Sequence, residues 1–364
     1  MRATLAVGRF GGAAADRLEA ASRAAGVDFN HVDSIGQALA WLEENDPHSL
    51  LLDAANGALE RSCLEVRAQM RHALVPILAL APEVNELAFA EAFSFGGDDV
   101  VSVRANEALT TRLRRLPSTP WERPVAGVDR VALISAPDRA RRIVLGRVLS
   151  NAGYTIHFAV DLAETERFAR ESRPRLVVID AQLDGVQDVI VRCAPDNRNT
   201  LWIVSTAPRH MRSCHGWIKD LSNASVTDSF APPENIVFLA NELGRGSAHD
   251  QRASRRLLYG TMVSFRCAGR DQDDFGLSYN VSEGGLYVRS LAPPVEDTLW
   301  LELRPPRKER LVRLEARVCW RRGYGGSAMA TVPPGFGLEI TDGSRTDRQA
   351  WEAGYRSFAE SIGA

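Results

Sequence analysis

Cysteines are few in this chain, and none forms a working pair. Cys63, Cys193, Cys214, Cys267 and Cys319 are odd in number, widely scattered and without a Cys-x-x-Cys spacing. That pattern excludes a disulfide framework and fits a reducing compartment. Long hydrophobic runs are missing too: no stretch reaches the roughly 20 apolar residues that cross a bilayer. The apolar run from Thr4 to Val7 is too short for a secretion signal, and Asp16 and Glu19 soon follow. The expectation is a cytoplasmic protein with no membrane insertion. Excess charge of one sign is also lacking. A net charge of -2 argues against bulk nucleic-acid binding. With no helix-turn-helix pattern and no basic stripe, no DNA partner is expected.

Catalytic equipment is equally scarce. The turn containing Gly8, Gly11 and Gly12 has the wrong spacing for a dinucleotide loop and reads as a helix entry. No nucleophile–base pair, metal triad or phosphate loop can be assembled, so the reading is a non-enzyme with no cofactor and no metal. His210, Cys214 and His215 fall close together in one segment but lack a fourth ligand. A solvated helix with one buried thiol is the reading there.

What the chain does have is ordinary globular composition: 364 residues, 45% hydrophobic and 25% charged. That length implies two or three domains. Residues 1–118 alternate short apolar strands (Thr4 to Val7, Phe29 to Val32, Ser49 to Asp53, Val75 to Leu80, Val100 to Val103) with helical patterns, and Ser34 is placed to cap one helix. Strands separated by helices predict a parallel, doubly wound α/β sheet. A proline-rich linker, 119–126, follows. Residues 127–246 repeat the plan, with strands at Arg130 to Ser135, Tyr154 to Val160, Arg175 to Asp180, Leu201 to Ser205 and Ala224 to Val226. The chain thus carries a domain duplication with a period of roughly 125 residues.

Both copies resemble receiver domains of two-component signalling, because each has a strand ending in an acid, Asp53 and Asp180. The resemblance makes these two vestigial phosphoacceptors. Phosphoryl transfer to a carboxylate also needs Mg²⁺ held by further acids and a cation for the developing charge. Gly8-Arg9 and Ser135-Ala136 stand where the acidic pair belongs, Ala81 and Thr206 where the hydroxyl belongs, and Val103 and Ala231 where the lysine belongs. The copies are therefore read as degenerate receivers. Such folds dock partners through the face containing the fourth helix, here roughly His210 to Leu221. Protein partners are expected there, and homodimer formation stays open.

The last third, 250–364, changes rhythm. Val312, Leu314, Ala316, Val318 and Trp320 alternate with polar residues, and paired prolines punctuate further strands. An antiparallel β-barrel is predicted. Ser344 opens a terminal helix whose apolar stripe is Trp351, Tyr355, Phe358 and Ile362. Two motifs precede and enter the barrel. Arg252, Arg255 and Arg256 cluster before an extended segment, Leu257 to Cys267; Asn280, Ser282 and Gly285 frame a tight turn. Guanidinium groups suit phosphates and stack on flat rings. In this order and spacing the residues resemble the PilZ domain, a β-barrel module that binds cyclic di-GMP. The plain alternative is a basic linker followed by an Asx-type turn.

The resemblance implies that Arg252 and Arg256 grip phosphates and stack on guanine, with Arg255 an additional cation. It implies that Asn280 and Ser282 bond a guanine edge, and that Gly285 keeps the turn tight. The functional expectation is a non-enzymatic cyclic di-GMP effector. Its nucleotide sits at the receiver–barrel junction and moves the barrel relative to the second receiver-like domain. One alternative is a phosphorylation-controlled response regulator. Another is a pseudo-receiver scaffold whose barrel no longer binds ligand.

Overall fold

The computed structural model describes the chain except residues 1–2, 56, 70, 118–129, 246–253, 268–269, 271, 326–331 and 362–364. The 119–126 linker and Ile362 lie outside the described residues. In the first α/β domain β1 (Ala3–Val7), α1 (Gly12–Ala24), β2 (Asp28–Val32), α2 (Ile35–Glu44) and β3 (Ser49–Asp53) lead to α3 (Leu59–Ala68). Then come β4 (Ile77–Ala81), α4 (Glu86–Ser94), β5 (Asp99–Ser102) and α5 (Asn106–Arg115). The strands form one parallel sheet in the order β2-β1-β3-β4-β5. Both sheet faces are covered, so β3 and β4 are apolar almost throughout. Leu5, Leu50 and Leu52 face one core, and Ala6 and Leu51 the other. The Ser34 hydroxyl accepts the Gln37 N–H at the start of α2, as its position in the sequence predicts.

The second domain repeats this order. β6 (Val131–Ser135), α6 (Arg139–Asn151), β7 (Thr155–Ala159), α7 (Leu162–Ser172) and β8 (Leu176–Asp180) are followed by α8 (Val186–Cys193). β9 (Leu201–Thr206), α9 (Met211–Ile218), β10 (Ala224–Asp228) and α10 (Asn235–Arg245) complete it. Its sheet runs β10-β9-β8-β6-β7, which is the same 2-1-3-4-5 winding. Cys214 of α9 is fully buried in the core, while His215 of the same helix and His210 just before it are exposed, so the three side chains do not converge.

The third domain is antiparallel: β11 (Leu257–Leu258), β12 (Met262–Cys267), β13 (Asp274–Ser282), β14 (Gly285–Arg289), β15 (Thr298–Leu303), β16 (Val312–Arg322) and β17 (Gly335–Gly343). β11 is an appendage on β13; the other six close into a barrel because β13 also pairs with β14. The expected single strand from Leu257 to Cys267 is broken. The Ser278 hydroxyl donates to the Tyr259 carbonyl and accepts the Thr261 N–H, so the chain loops over one side chain between β11 and β12. The closing helix α11 (Arg345–Ser361) is capped by Ser344, and it buries Trp351 and Tyr355 against the barrel core.

Expected contacts between the barrel and the second domain exist, but the barrel docks on the first domain as well. Arg112 of α5 is buried. Its Nε lies 2.8 Å from the Asp99 carboxylate, and its Nη1 lies 3.0 Å from Asp274 at the start of β13. Asp99 also accepts the Leu291 N–H of the barrel at 2.8 Å. Nearby, Asp98 is gripped by Arg67 of the first domain and Arg147 of the second. Burial pushes the Asp98 carboxyl up, but the two guanidinium groups outweigh it and hold the group below its usual range. Asp99 goes the other way, because burial outweighs Arg112 and two backbone N–H groups. Tyr324 of the barrel donates to the Leu74 carbonyl at 2.7 Å. A hinge between the barrel and the second domain alone therefore does not describe this molecule: all three domains share one buried polar seam.

Candidate functional site

The β13–β14 hairpin turns in two residues, Glu283 and Gly284, with Ser282 paired to Gly285. The Ser282 hydroxyl donates to the Gly285 carbonyl at 3.1 Å. Three bonds anchor the turn and the segment before β11. The Glu283 N–H donates to the Ser254 hydroxyl at 3.2 Å, Trp351 Nε1 to the Glu283 carbonyl at 2.9 Å, and the Tyr355 hydroxyl to the Arg255 carbonyl at 2.6 Å. The terminal helix thus holds the arginine-bearing segment beside the turn.

Between them opens a cleft of about 310 Å³, lined by Arg256, Asn280, Ser282 and Gly285 together with Ser254, Tyr287, Trp320 and Glu339. Four of the six residues named from the sequence therefore meet in one place. Arg255 is exposed and is not in the lining. Arg252 lies outside the described residues. The lining comes from the barrel and its leading segment, not from the seam with the α/β domains.

Two β-bulges build the cleft. One interrupts β13 between Ser278 and Asn280, which puts Tyr279 and Asn280 on the same outer face. Tyr279 turns to the second domain, donating to the Glu234 carbonyl at 2.7 Å, and Asn280 turns to the cleft. The other interrupts β16 between Val318 and Trp320. Alternation assigned Trp320 to the buried set with Val318. The extra residue reverses the parity, so Trp320 and Cys319 both line the cleft. Trp320 stacks on Tyr287 with centroids 4.9 Å apart and planes at 25°. Glycine makes room for this arrangement: a Cβ at Gly337 would overlap the Trp320 indole. Gly285 is required for a different reason than turn geometry, since a Cβ there would overlap the Leu338 carbonyl of β17. Tyr287 and Trp320 were not among the site residues read from the sequence, and Glu339 was read only as part of the late-strand run Gly335-Phe-Gly-Leu-Glu339. The signal that could have found Trp320 is Gly337, the flat position opposite it.

The strand-end acids have different surroundings. Asp53 ends β3, accepts the Ala55 N–H, and lies so close to Gly8 that a Cβ there would overlap it. Asp180 ends β8 and is 4% exposed. Its carboxylate accepts the Gln182 N–H and faces Arg141, whose Nε is 3.7 Å away. Arg141 also donates to the Ser205 hydroxyl and the Ser229 carbonyl. Ser205, not Thr206, is the register partner of Asp180. Burial lowers the Arg141 pKa, and Asp180, Asp138 and Asp228 only partly restore it. A fixed guanidinium therefore occupies the neighbourhood in which a receiver would hold its divalent cation. Incubation with acetyl phosphate and Mg²⁺ is expected to leave Asp180 unlabelled; an acid-stable, hydroxylamine-sensitive adduct at that residue would overturn this.

Residues 250–355 match the family model described as the PilZ domain. No curated protein matches the chain. Among solved structures, it is similar to the inhibitor of motility MotI/DgrA of Bacillus subtilis at 22% identity and TM-score 0.25, covering 31% of this chain and 53% of that one. The chain thus spans about half the length of that protein. The PilZ domain with c-di-GMP of YcgR from Escherichia coli aligns at 14% identity and TM-score 0.24, over 31% of this chain and 98% of that one. A putative two-component system response regulator/GGDEF domain protein aligns over 67% of this chain and 97% of that one, at 16% identity and TM-score 0.29. Among the described residues no helix is long and apolar enough to cross a membrane.

Proposed function

We propose, from the premise that residues 250–355 form a PilZ domain, that this protein is a non-enzymatic effector binding cyclic di-GMP in the barrel cleft. The observation that carries the reading is the meeting of Arg256, Asn280, Ser282 and Gly285 around one opening of about 310 Å³. That size is within the range of small-molecule sites, roughly 300–1,000 Å³. Arg256, with Arg252, supplies cations for phosphates. Asn280 and Ser282 offer donors and acceptors to a guanine edge, and Trp320 on Tyr287 offers a flat ring for stacking. Arg255 contributes longer-range attraction from the exposed side.

The signal is proposed to pass along β14. Tyr287 faces the cleft, and two residues on Arg289 places its guanidinium 3.5 Å over the Phe93 ring and 3.1 Å from Glu234. One short strand thus touches the cleft, the first domain and the second. From there a protein partner, or a second copy of the chain, would read the bound state on the α/β domains.

Calorimetric titration with cyclic di-GMP tests the binding, giving affinity and stoichiometry. Trp320→Ala is expected to weaken it by about 1–3 kcal/mol, the usual range for a base stacked on an aromatic ring. Ligand should also quench wild-type indole fluorescence, and the variant should lose that component. Unchanged affinity in Trp320→Ala would remove the stacking role.

A further inference from the structure

The barrel cleft holds one side chain whose charge is wrong for phosphate. Glu339 of β17 is the only carboxylate among the described lining residues, which otherwise offer Arg256, the Asn280 amide, hydroxyls, a thiol and the Trp320 indole. A carboxylate repels the phosphates of a cyclic dinucleotide, so its place in the cleft needs another account. Its hydrogen-bonding capacity is distinct too. An ionised carboxylate only accepts, whereas the side chains of Asn280 and Ser282 both donate and accept.

Strand register says what Glu339 can reach. On β17, Gly337 lies against the Trp320 indole, and Glu339 follows two residues later on the same strand face, roughly 6.8 Å along by strand rise. The register partners of Glu339 are Gly285 of β14, which has no side chain, and Arg317 of β16. Arg317 Nη2 donates to Glu339 Oε2 at 2.5 Å, which sets the direction of the carboxylate and leaves Oε1 to accept another bond. A base stacked on Trp320 therefore has Glu339 one row away, beside its rim and not its face. The bases differ at that rim. The base-pairing edge of guanine carries two adjacent donors, a ring N–H and an exocyclic amine, which suit the two oxygens of one carboxylate. Adenine puts an unprotonated ring nitrogen there, whose lone pair faces the carboxylate with nothing to share. Asn280 and Ser282 can turn to suit either base; Glu339 cannot.

We propose that Glu339 is the specificity-determining residue of the cleft, accepting hydrogen bonds from the base-pairing edge of a guanine stacked on Trp320. This rests on the reading that the cleft takes a cyclic dinucleotide, and it adds which group chooses the base. The choice has an attractive and a repulsive part, because the carboxylate that binds guanine also rejects adenine.

The test is calorimetric titration of the full chain with cyclic di-GMP, cyclic di-IMP and cyclic di-AMP, read as ratios of affinity. Cyclic di-IMP keeps the ring N–H and lacks the exocyclic amine, so it removes one of the two bonds to Glu339. The wild type is expected to prefer cyclic di-GMP to each analogue by about fivefold or more. Glu339→Gln should bring both ratios toward one. Removing a negative charge near the phosphates acts on all three nucleotides alike, so the ratios isolate the base edge. The variant should fold, since the Arg317 and Glu339 side chains are 63% and 50% exposed and such a pair contributes little to stability. Trp320→Ala is the control: stacking tolerates any base, so all three affinities should fall together with the ratios kept. A Glu339→Gln protein with wild-type ratios, or a wild type that binds the three nucleotides equally, would overturn the proposal and leave the effector reading standing. A wild type that takes up none of them would overturn both.

Discussion

Replacing Arg112 with alanine is expected to destabilise the protein by about 3–5 kcal/mol, the usual cost of breaking a buried ion pair from one side. Arg112 is 1% exposed and serves Asp99 at 2.8 Å, Asp274 at 3.0 Å and the Phe275 carbonyl at 3.0 Å. Removing it leaves Asp99 fully buried without the guanidinium that faces its carboxylate. The Asp99 pKa, already above its usual range through burial, would rise further. An acid with a raised folded pKa contributes stability that is present below its unfolded pKa and lost as pH rises through the folded one. The deficit in Arg112→Ala should therefore shrink as the pH is lowered. Urea unfolding at several pH values measures both the size and the trend. A loss below about 1 kcal/mol, typical of an exposed pair, would mean the seam does not hold the barrel.

Arg256→Ala is expected to weaken cyclic di-GMP binding by roughly tenfold to a hundredfold or more, since one charge-assisted hydrogen bond contributes about 1.5–3 kcal/mol. The fold should survive: Arg256 is half-buried at the cleft, and the segment around it is anchored through Ser254 and the Arg255 carbonyl. Calorimetry on the variant, beside an unfolding curve, separates the two effects. Full affinity in a folded variant would remove Arg256 from the site. Loss of binding together with melting would show a structural residue instead.

The two experiments probe opposite ends of β13, which meets Arg112 through Asp274 and reaches the cleft at Asn280 and Ser282. β14 carries Tyr287 at the cleft and Arg289 at the seam. If both sites couple, a destabilised seam should also lower nucleotide affinity, because linkage between two sites acts in both directions. The seam is also a reason to expect small motions. A barrel swinging freely from the first domain would take the Leu291 N–H from Asp99, and Asp274 and the Phe275 carbonyl from Arg112, partners that make their burial tolerable.

Much of the architecture was legible in the residues alone. Apolar runs such as Leu50 to Leu52 and Val75 to Leu80 fit short strands covered on both faces, and helical patterns between them favour parallel pairing. The period-two pattern of β16 announced the barrel, and Arg256, Asn280, Ser282 and Gly285 announced one site. Trp320 was assigned to the wrong face because alternation counts residues and cannot see the bulge that inserts one. The burial of Asp180 was not legible from its place at the end of β8, because Arg141, which faces it, comes from α6, distant along the chain.

By itself, then, the sequence determined which segments are helix or strand, how many sheets they make, and which polar residues gather at the hairpin. Those features depend on local pattern and on spacing along the chain. Only the tertiary structure decided that the barrel seats on both α/β domains, that Asp98, Asp99, Arg112 and Arg147 share one buried seam, and that two bulges turn Trp320 and Asn280 into the same cleft. Those outcomes depend on which charges meet when distant segments pack, and on how strands shift register to close a ring, neither of which is written in any one stretch of residues.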